Sequence, residues 1–249
     1  MTGHKKDAKK DAKKAPDKSL WERLEQSPAT PRASLTLERI GTVAVEIADA
    51  EGFAAVTMRR LATELGVAPM AAYRHVSGKD DLWALMAERV AAEQRIPDEV
   101  TGWREVLRAF GLLTRQMMLR HPWVGELPTA LFVLTPGRMA IAERQLAALD
   151  GLGLDEDTMM VGFRTVSAFA HGAAESEVAL RNWTQSVGWS SGAEARRGLA
   201  PQMTYLMDTG RYPTYRRYGL QATRKDDANW AFETGLDCVL DGLAARFGI

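Results

Sequence analysis

Cysteine is almost missing from this chain: Cys238 is the single thiol in 249 residues. One thiol excludes an internal disulfide framework and suits a reducing cytoplasm. Net charge is missing as well, because 32 Lys and Arg balance 32 Asp and Glu. That balance argues against indiscriminate polyanion binding by the whole protein, so any nucleic-acid contact has to come from local clusters. No apolar run approaches the length that spans a bilayer, and no membrane contact is expected. The basic N-terminus has no apolar stretch behind it, which argues against a signal peptide. Nothing alternates with the period of a strand, and no segment repeats. Credibly placed catalytic carboxylates, a nucleophile elbow, a phosphate loop and zinc-ligand spacing are all lacking. An enzyme is therefore not expected, nor are a cofactor or a metal site.

What is present is an ordinary apolar share, 46%, sufficient for a real core. Residues 1–33 differ in composition. Lys5-Lys6, Lys9-Lys10 and Lys13-Lys14 recur with Ala and Asp between them, and Pro16, Pro28 and Pro31 follow. So little apolar surface does not offset ordering entropy, and a disordered basic arm is the expectation. Such an arm either adds salt-sensitive phosphate contacts or is a solvated tail. Leu20, Trp21 and Leu24 are able to make a short helical turn within it.

The informative stretch runs from Thr57 to Val76. Thr57 stands at an N-cap position ahead of Leu61, Ala62 and Leu65, which recur at helical spacing. Gly66 follows at the site where a left-handed residue closes a helix. Val67 packs the turn, and Pro69 begins the next helix, where its missing N–H costs little. Two short helices at a tight turn make a helix-turn-helix, whose second helix enters the major groove of DNA; an ordinary helical hairpin is the plainer reading. Upstream, residues 37–53 read as an amphipathic helix with Leu37, Ile40, Ala44, Ile47 and Ala48 on one face, stopped by Gly52. Downstream, Ser77-Gly78-Lys79-Asp80-Asp81-Leu82 leads into a new helix with acids in its first turn.

Groove reading needs phosphate contacts for position and base contacts for choice. Thr57 and the neighbouring N–H groups suit a phosphate, and Arg59 and Arg60 add charge. Base reading falls to Pro69, Met70, Ala71 and Arg74, since arginine is able to bond a guanine edge twice. From Leu82 onward the chain reads as helical almost throughout: 82–90, 103–120, 138–149, 155–183, 193–207 and 227–247, with short helix or loop over 123–135. The fold class is all-α: an N-terminal three-helix helix-turn-helix domain at 34–81, and a larger C-terminal helical domain at 82–249.

Over residues 34–82 the chain resembles the DNA-binding domain of the tetracycline-repressor (TetR) family of transcriptional regulators. The resemblance rests on Ala48, Gly52, Phe53, Thr57, Leu61, Ala62, Leu65, Gly66, Val67, Tyr73, His75, Val76, Lys79 and Leu82, and the body is loosely like the C-terminal domain of the tetracycline repressor. It implies phosphate contacts for Tyr73, His75 and Lys79. It also implies a cytoplasmic homodimer on a palindromic operator, most often repressing, and a pocket for a small effector. Small residues at Ala228, Ala231, Gly235, Cys238, Gly242 and Ala245, and at Gly162, Ala168, Gly172 and Ala173, look like the close-packing stripes of the family's paired final helices; packing within one chain is the alternative. Trp103, Phe110, Met117, Trp123, Phe132, Phe163 and Phe169 are the apolar candidates for the pocket. His171 and Glu175, four apart on one helix face, suit a polar ligand or a hydrogen-bonded pair. The histidine-bearing loop that would hold magnesium–tetracycline is not recognisable near Gly125–Thr129, which points to another large planar or hydrophobic effector. The helix at 82–90 is the natural lever between ligand and DNA, moved by contacts from the 103–120 helix. Alternatives are control by a partner protein, nonspecific DNA compaction by the lysine tail, or a helical enzyme.

Overall fold

The computed structural model describes residues 18–26, 35–128, 131 and 133–249, and among them there is no strand. The first 17 residues, with the paired lysines, lie outside the described residues. Within the stretch expected to be unordered, α1 (Leu20–Glu25) forms a short helix closed by a capping box between Ser19 and Glu22. Its Arg23 explains where it docks. One guanidinium nitrogen donates to the His75 carbonyl at 2.9 Å and the other pairs with Asp81 at 3.0 Å, while Leu20 and Leu24 pack on the core beneath.

The head is built from α2 (Leu37–Glu51), α3 (Met58–Leu65) and α4 (Pro69–Tyr73). Thr57 caps α3 by accepting from Arg60 N at 3.2 Å. Gly66, with φ of 68°, ends it in the left-handed region, where any Cβ is strained. Val67 N then returns to the Ala62 carbonyl at 3.0 Å, so the turn satisfies the carbonyls that the helix end leaves over. Ile40, Ala44, Leu61, Ala72 and Val76 are sealed from solvent between the three helices. Burying the isoleucine, leucine and valine among them contributes about 1.5–3 kcal/mol each.

From the head, α5 (Lys79–Ala91) runs into the body and packs along α2. A Cβ at Gly41 of α2 would stand 3.1 Å from the Leu85 carbonyl oxygen, so glycine sets this close approach. The body follows as α6 (Trp103–Arg120), α7 (Pro136–Leu149), α8 (Glu156–Ser186), α9 (Gly192–Asp208), α10 (Pro213–Gln221) and α11 (Ala228–Phe247). Where short helix or loop was expected after α6, a 3-10 turn spans Pro122–Glu126. Helix α6 lies against α7, α8 and α11, with Val106, Leu107, Phe110, Val166, Ala170, Leu236 and Leu240 at the centre. The α10 helix is not foreshadowed by any apolar period, because it has no buried residue. Among the described residues no helix is long and apolar enough to cross a membrane.

Candidate nucleic-acid interface and ligand cavity

The head presents α4 with its inner side used up. Ala72 is fully buried, while Pro69, Met70, Tyr73 and Arg74 are exposed and Ala71 is half-buried. Met70 is 70% exposed and Tyr73 48%, far more than packing within the head requires. The regular helix stops at Tyr73, with Arg74 as its C-cap. Arg74 and His75 therefore stand on the turn that leaves the helix. The half-buried His75 lends its backbone carbonyl to Arg23. Lys79 opens α5 and is exposed. Beside it Asp81 accepts from Ser77 N at 2.9 Å. Burial pushes the Asp81 carboxyl up, but the Ser77 bond and the Arg23 guanidinium outweigh it and hold the group below its usual range.

Thr57 and Arg59 are exposed at the start of α3, whose first N–H groups have no partner inside the helix. Arg60 is placed differently. Its guanidinium bonds Glu51 at 2.6 Å and Glu64 at 2.7 Å, which raises its pKa. It ties the end of α2 to α3 and is already held when DNA arrives. Thr57, Arg59, Pro69, Met70, Tyr73, Arg74 and Lys79 are thus open to solvent, whereas Arg60, Ala71 and His75 are partly engaged in the head.

A polar junction joins head to body. Trp123 Nε1 donates to Asp49 Oδ1 at 2.6 Å, and His121 Nδ1 stands 2.7 Å from the same oxygen. The other ring nitrogen of His121 lies 3.1 Å from Glu93 Oε2 just past α5. Phe53 of the head stacks on the Trp123 ring with 3° between their planes. One carboxylate at the end of α2 therefore holds two side chains of the segment that follows α6.

Behind this junction α7, α8 and the end of α6 enclose a cavity of about 640 Å³. Its apolar wall includes Met118, Val124, Leu127, Leu146, Met160 and Phe163, and Arg138, Ser167 and His171 supply polar groups. The His171 ring, whose Nδ1 donates to the Ser167 carbonyl at 2.9 Å, has its pKa lowered by burial. Of the residues singled out in the sequence, Phe163, His171 and Glu175 stand in this wall. Phe110 lies one layer back, under the Arg138 guanidinium, which is 5.0 Å from its ring centre. Trp103 packs on the body core, Met117 on the core shared with the head, and Trp123 on the junction. Phe132 lies outside the described residues. His171 and Glu175 share the wall, but His171 bonds back along its own helix. Among the described residues no group of three His, Cys, Asp or Glu is assembled for a metal ion.

Residues 40–86 match the family described as "Bacterial regulatory proteins, tetR family". Residues 96–247 match "Tetracyclin repressor-like, C-terminal domain". The chain belongs to the TetR family. Its relatives include the HTH-type transcriptional repressor DrrR1 of Streptomyces coeruleorubidus, 32% identical over 90% of this chain and 83% of that protein. Among solved structures, apo ActR from Streptomyces coelicolor superposes with a TM-score of 0.71 at 29% identity, covering 86% of this chain and 97% of that one. ActR in complex with actinorhodin gives 0.70 at 28%, covering 87% and 100%. The chain is accordingly a DNA-binding transcriptional regulator and not an enzyme.

In this TetR-family chain, sequence reasoning reached the head because its signals are local, and missed two features of the body. The first is Arg138, which reads in sequence as one more charge in the first turn of a helix. The second is the junction at Asp49, Glu93 and His121. Three polar side chains from separate segments give no spacing to read, and the available signal was His121 and Trp123 flanking Pro122 at a helix end.

Proposed function

We propose that the protein is a homodimeric repressor, acting in the cytoplasm, that binds a palindromic operator and is released by a small aromatic or hydrophobic effector. Residues 34–81 are the DNA-binding unit in this reading and 82–249 the body. Thr57, Arg59, Tyr73 and Lys79 meet phosphates, and Met70 and Arg74 face base edges. The observation that carries the reading is the connection between cavity and head. Gly137 N, next to the cavity residue Arg138, donates to Glu88 Oε2 of α5 at 2.7 Å, and α5 is the helix that leaves the head. Ligand-driven movement of α7 therefore reaches the lever directly, where contacts from α6 were expected to do so. A ligand that prefers the displaced arrangement lowers operator affinity by its preference ratio.

Dimerisation is supported by surfaces that have no use in one chain. Positions Ala231, Cys238, Gly242 and Ala245 of α11 are exposed, and a Cβ at Gly172 or Gly242 would touch nothing. Gly235 divides from that stripe, since its Cβ would meet Phe169 at 2.7 Å within the chain. Two heads on a two-fold axis would read half-sites about 34–36 Å apart or a multiple of that distance. Selecting bound sequences from a random DNA pool tests this. A recovered inverted repeat at helical spacing supports it, and an unrelated or non-repeating pool sinks it. Compounds are then screened for release of the recovered site.

A further inference from the structure

Arg138 is 6% exposed yet lines the cavity, and its guanidinium sits 5.0 Å from the Phe110 ring centre. We infer that the effector is a planar aromatic compound carrying an acidic group, a carboxylate or ionised phenol, and that Arg138 receives that group while Phe163 and Met160 hold the ring system. The inference rests on the cavity being the effector site, as proposed above.

Four features carry it. Arginine keeps its charge even where it is desolvated; burial holds this one down to about 10, so it is cationic at neutral pH. A cation in an apolar cavity attracts an anion more strongly than one in water does, and a planar guanidinium matches a carboxylate with two parallel bonds. Second, the cavity's carboxylates are at its edge: Glu143 and Glu175 are exposed, while Arg138 is buried. The cationic side chain is thus the inner one, and Arg164 joins the two carboxylates at the exposed edge. Third, Ser167 Oγ is buried in the same wall with no hydrogen-bond partner. A buried unsatisfied hydroxyl costs free energy, and an oxygen-bearing ligand relieves that cost. Fourth, Arg138 follows Gly137, whose N–H is tied to Glu88 of α5. An anion drawn to Arg138 thus pulls on the turn of α7 that is fastened to the lever.

The test uses the full-length protein and three probes of one shape: an anthracene carboxylate, its neutral carboxamide and its cationic methylamine. Binding is measured by titration calorimetry. The carboxylate is expected to bind roughly tenfold or more tighter than the carboxamide, the ratio one hydrogen bond to a charged group supplies, and the methylamine weakest. Arg138→Gln is expected to erase the carboxylate preference and Arg138→Lys, which keeps the charge but not the two parallel bonds, to retain part of it. Circular dichroism and operator retention report whether the variants fold, and Ser167→Ala, a smaller change, is expected to weaken the carboxylate in a fully folded protein. Ala168→Trp, which fills the cavity from an exposed wall position, is expected to abolish binding of every probe. Equal binding of carboxylate and carboxamide, lost in Ala168→Trp, overturns the acidic-effector inference and leaves the cavity as the effector site. Binding that ignores Ala168→Trp, or no binding by any probe, overturns the cavity reading and this inference with it.

Discussion

The head and the α9–α10 hairpin are both made of short helices joined by tight turns, and they differ in what they bury. In the head, Ile40, Ala44, Leu61 and Ala72 are sealed among three helices. In the hairpin Leu199, Met203, Tyr205, Leu206, Tyr212, Tyr215, Tyr218 and Leu220 are all exposed, and the two helices pack chiefly on each other. The head's core is completed by α5 and by residues around the end of α6, so its conformation is set within one chain. The hairpin has the apolar content of a packed element without the packing. A cluster of exposed apolar side chains of this kind suits an interaction surface, in keeping with a second copy lying over it in the proposed dimer.

The contrast is broken or sharpened by four measurements, given from the largest expected effect to the smallest. Leu61→Ala removes a fully buried side chain and is expected to cost about 2–5 kcal/mol in denaturant unfolding of the head, with loss of operator retention. Leu206→Ala, on the 41% exposed hairpin leucine, should lie near zero in a diluted, monomeric sample; equal costs at the two sites would remove the contrast. On DNA, Arg74→Ala is expected to cost about 1–3 kcal/mol if it contacts a base edge and to relax choice at one operator position. Lys79→Ala should weaken all sequences alike and lower the salt slope by about one; an unchanged slope removes Lys79 from the phosphate contacts.

Third, Tyr205→Asp and Leu206→Asp together should shift sedimentation toward monomer with the helical content unchanged. A dimer that persists at every dilution would show that the hairpin is not part of the interface. The smallest effect is a pH dependence at His171. Its folded pKa is depressed by burial, so as pH falls below about 6.5 the unfolded chain takes up a proton that the folded chain refuses. Stability is thus full above that pH and declines below it. His171→Gln should flatten the fall in melting temperature just below pH 6.5, and an unaltered slope would show that His171 does not titrate as placed.

The legible parts of this protein were the ones whose signals sit close together in the chain. Thr57, the Leu61–Leu65 stripe, Gly66 and Pro69 mark a cap, a face, a stop and a start within one short stretch, and the structure has each in that role. The body's helices α6 and α11, which bury an apolar face, were readable, as was α9 with only Ala195 buried, whereas α10, which buries nothing, was not. The cavity followed the same rule. Phe163 shows that an aromatic on a helix is a fair candidate for a wall, and Phe110 and Met117 show why most such residues are core instead. Trp123 stands outside this cavity for another reason: its indole N–H found a carboxylate on the head.

Backbone caps, turn glycines and apolar periods act over a few residues, so the amino-acid order alone determined an all-helical chain with a helix-turn-helix near its start. Tertiary packing alone decided that Arg138 is buried beside a cavity, that α7 is tied to α5, and that Arg23 and Asp49 bind segments distant in sequence. Those placements depend on desolvation and on bonds between elements brought together from far along the chain, and local spacing carries no record of either.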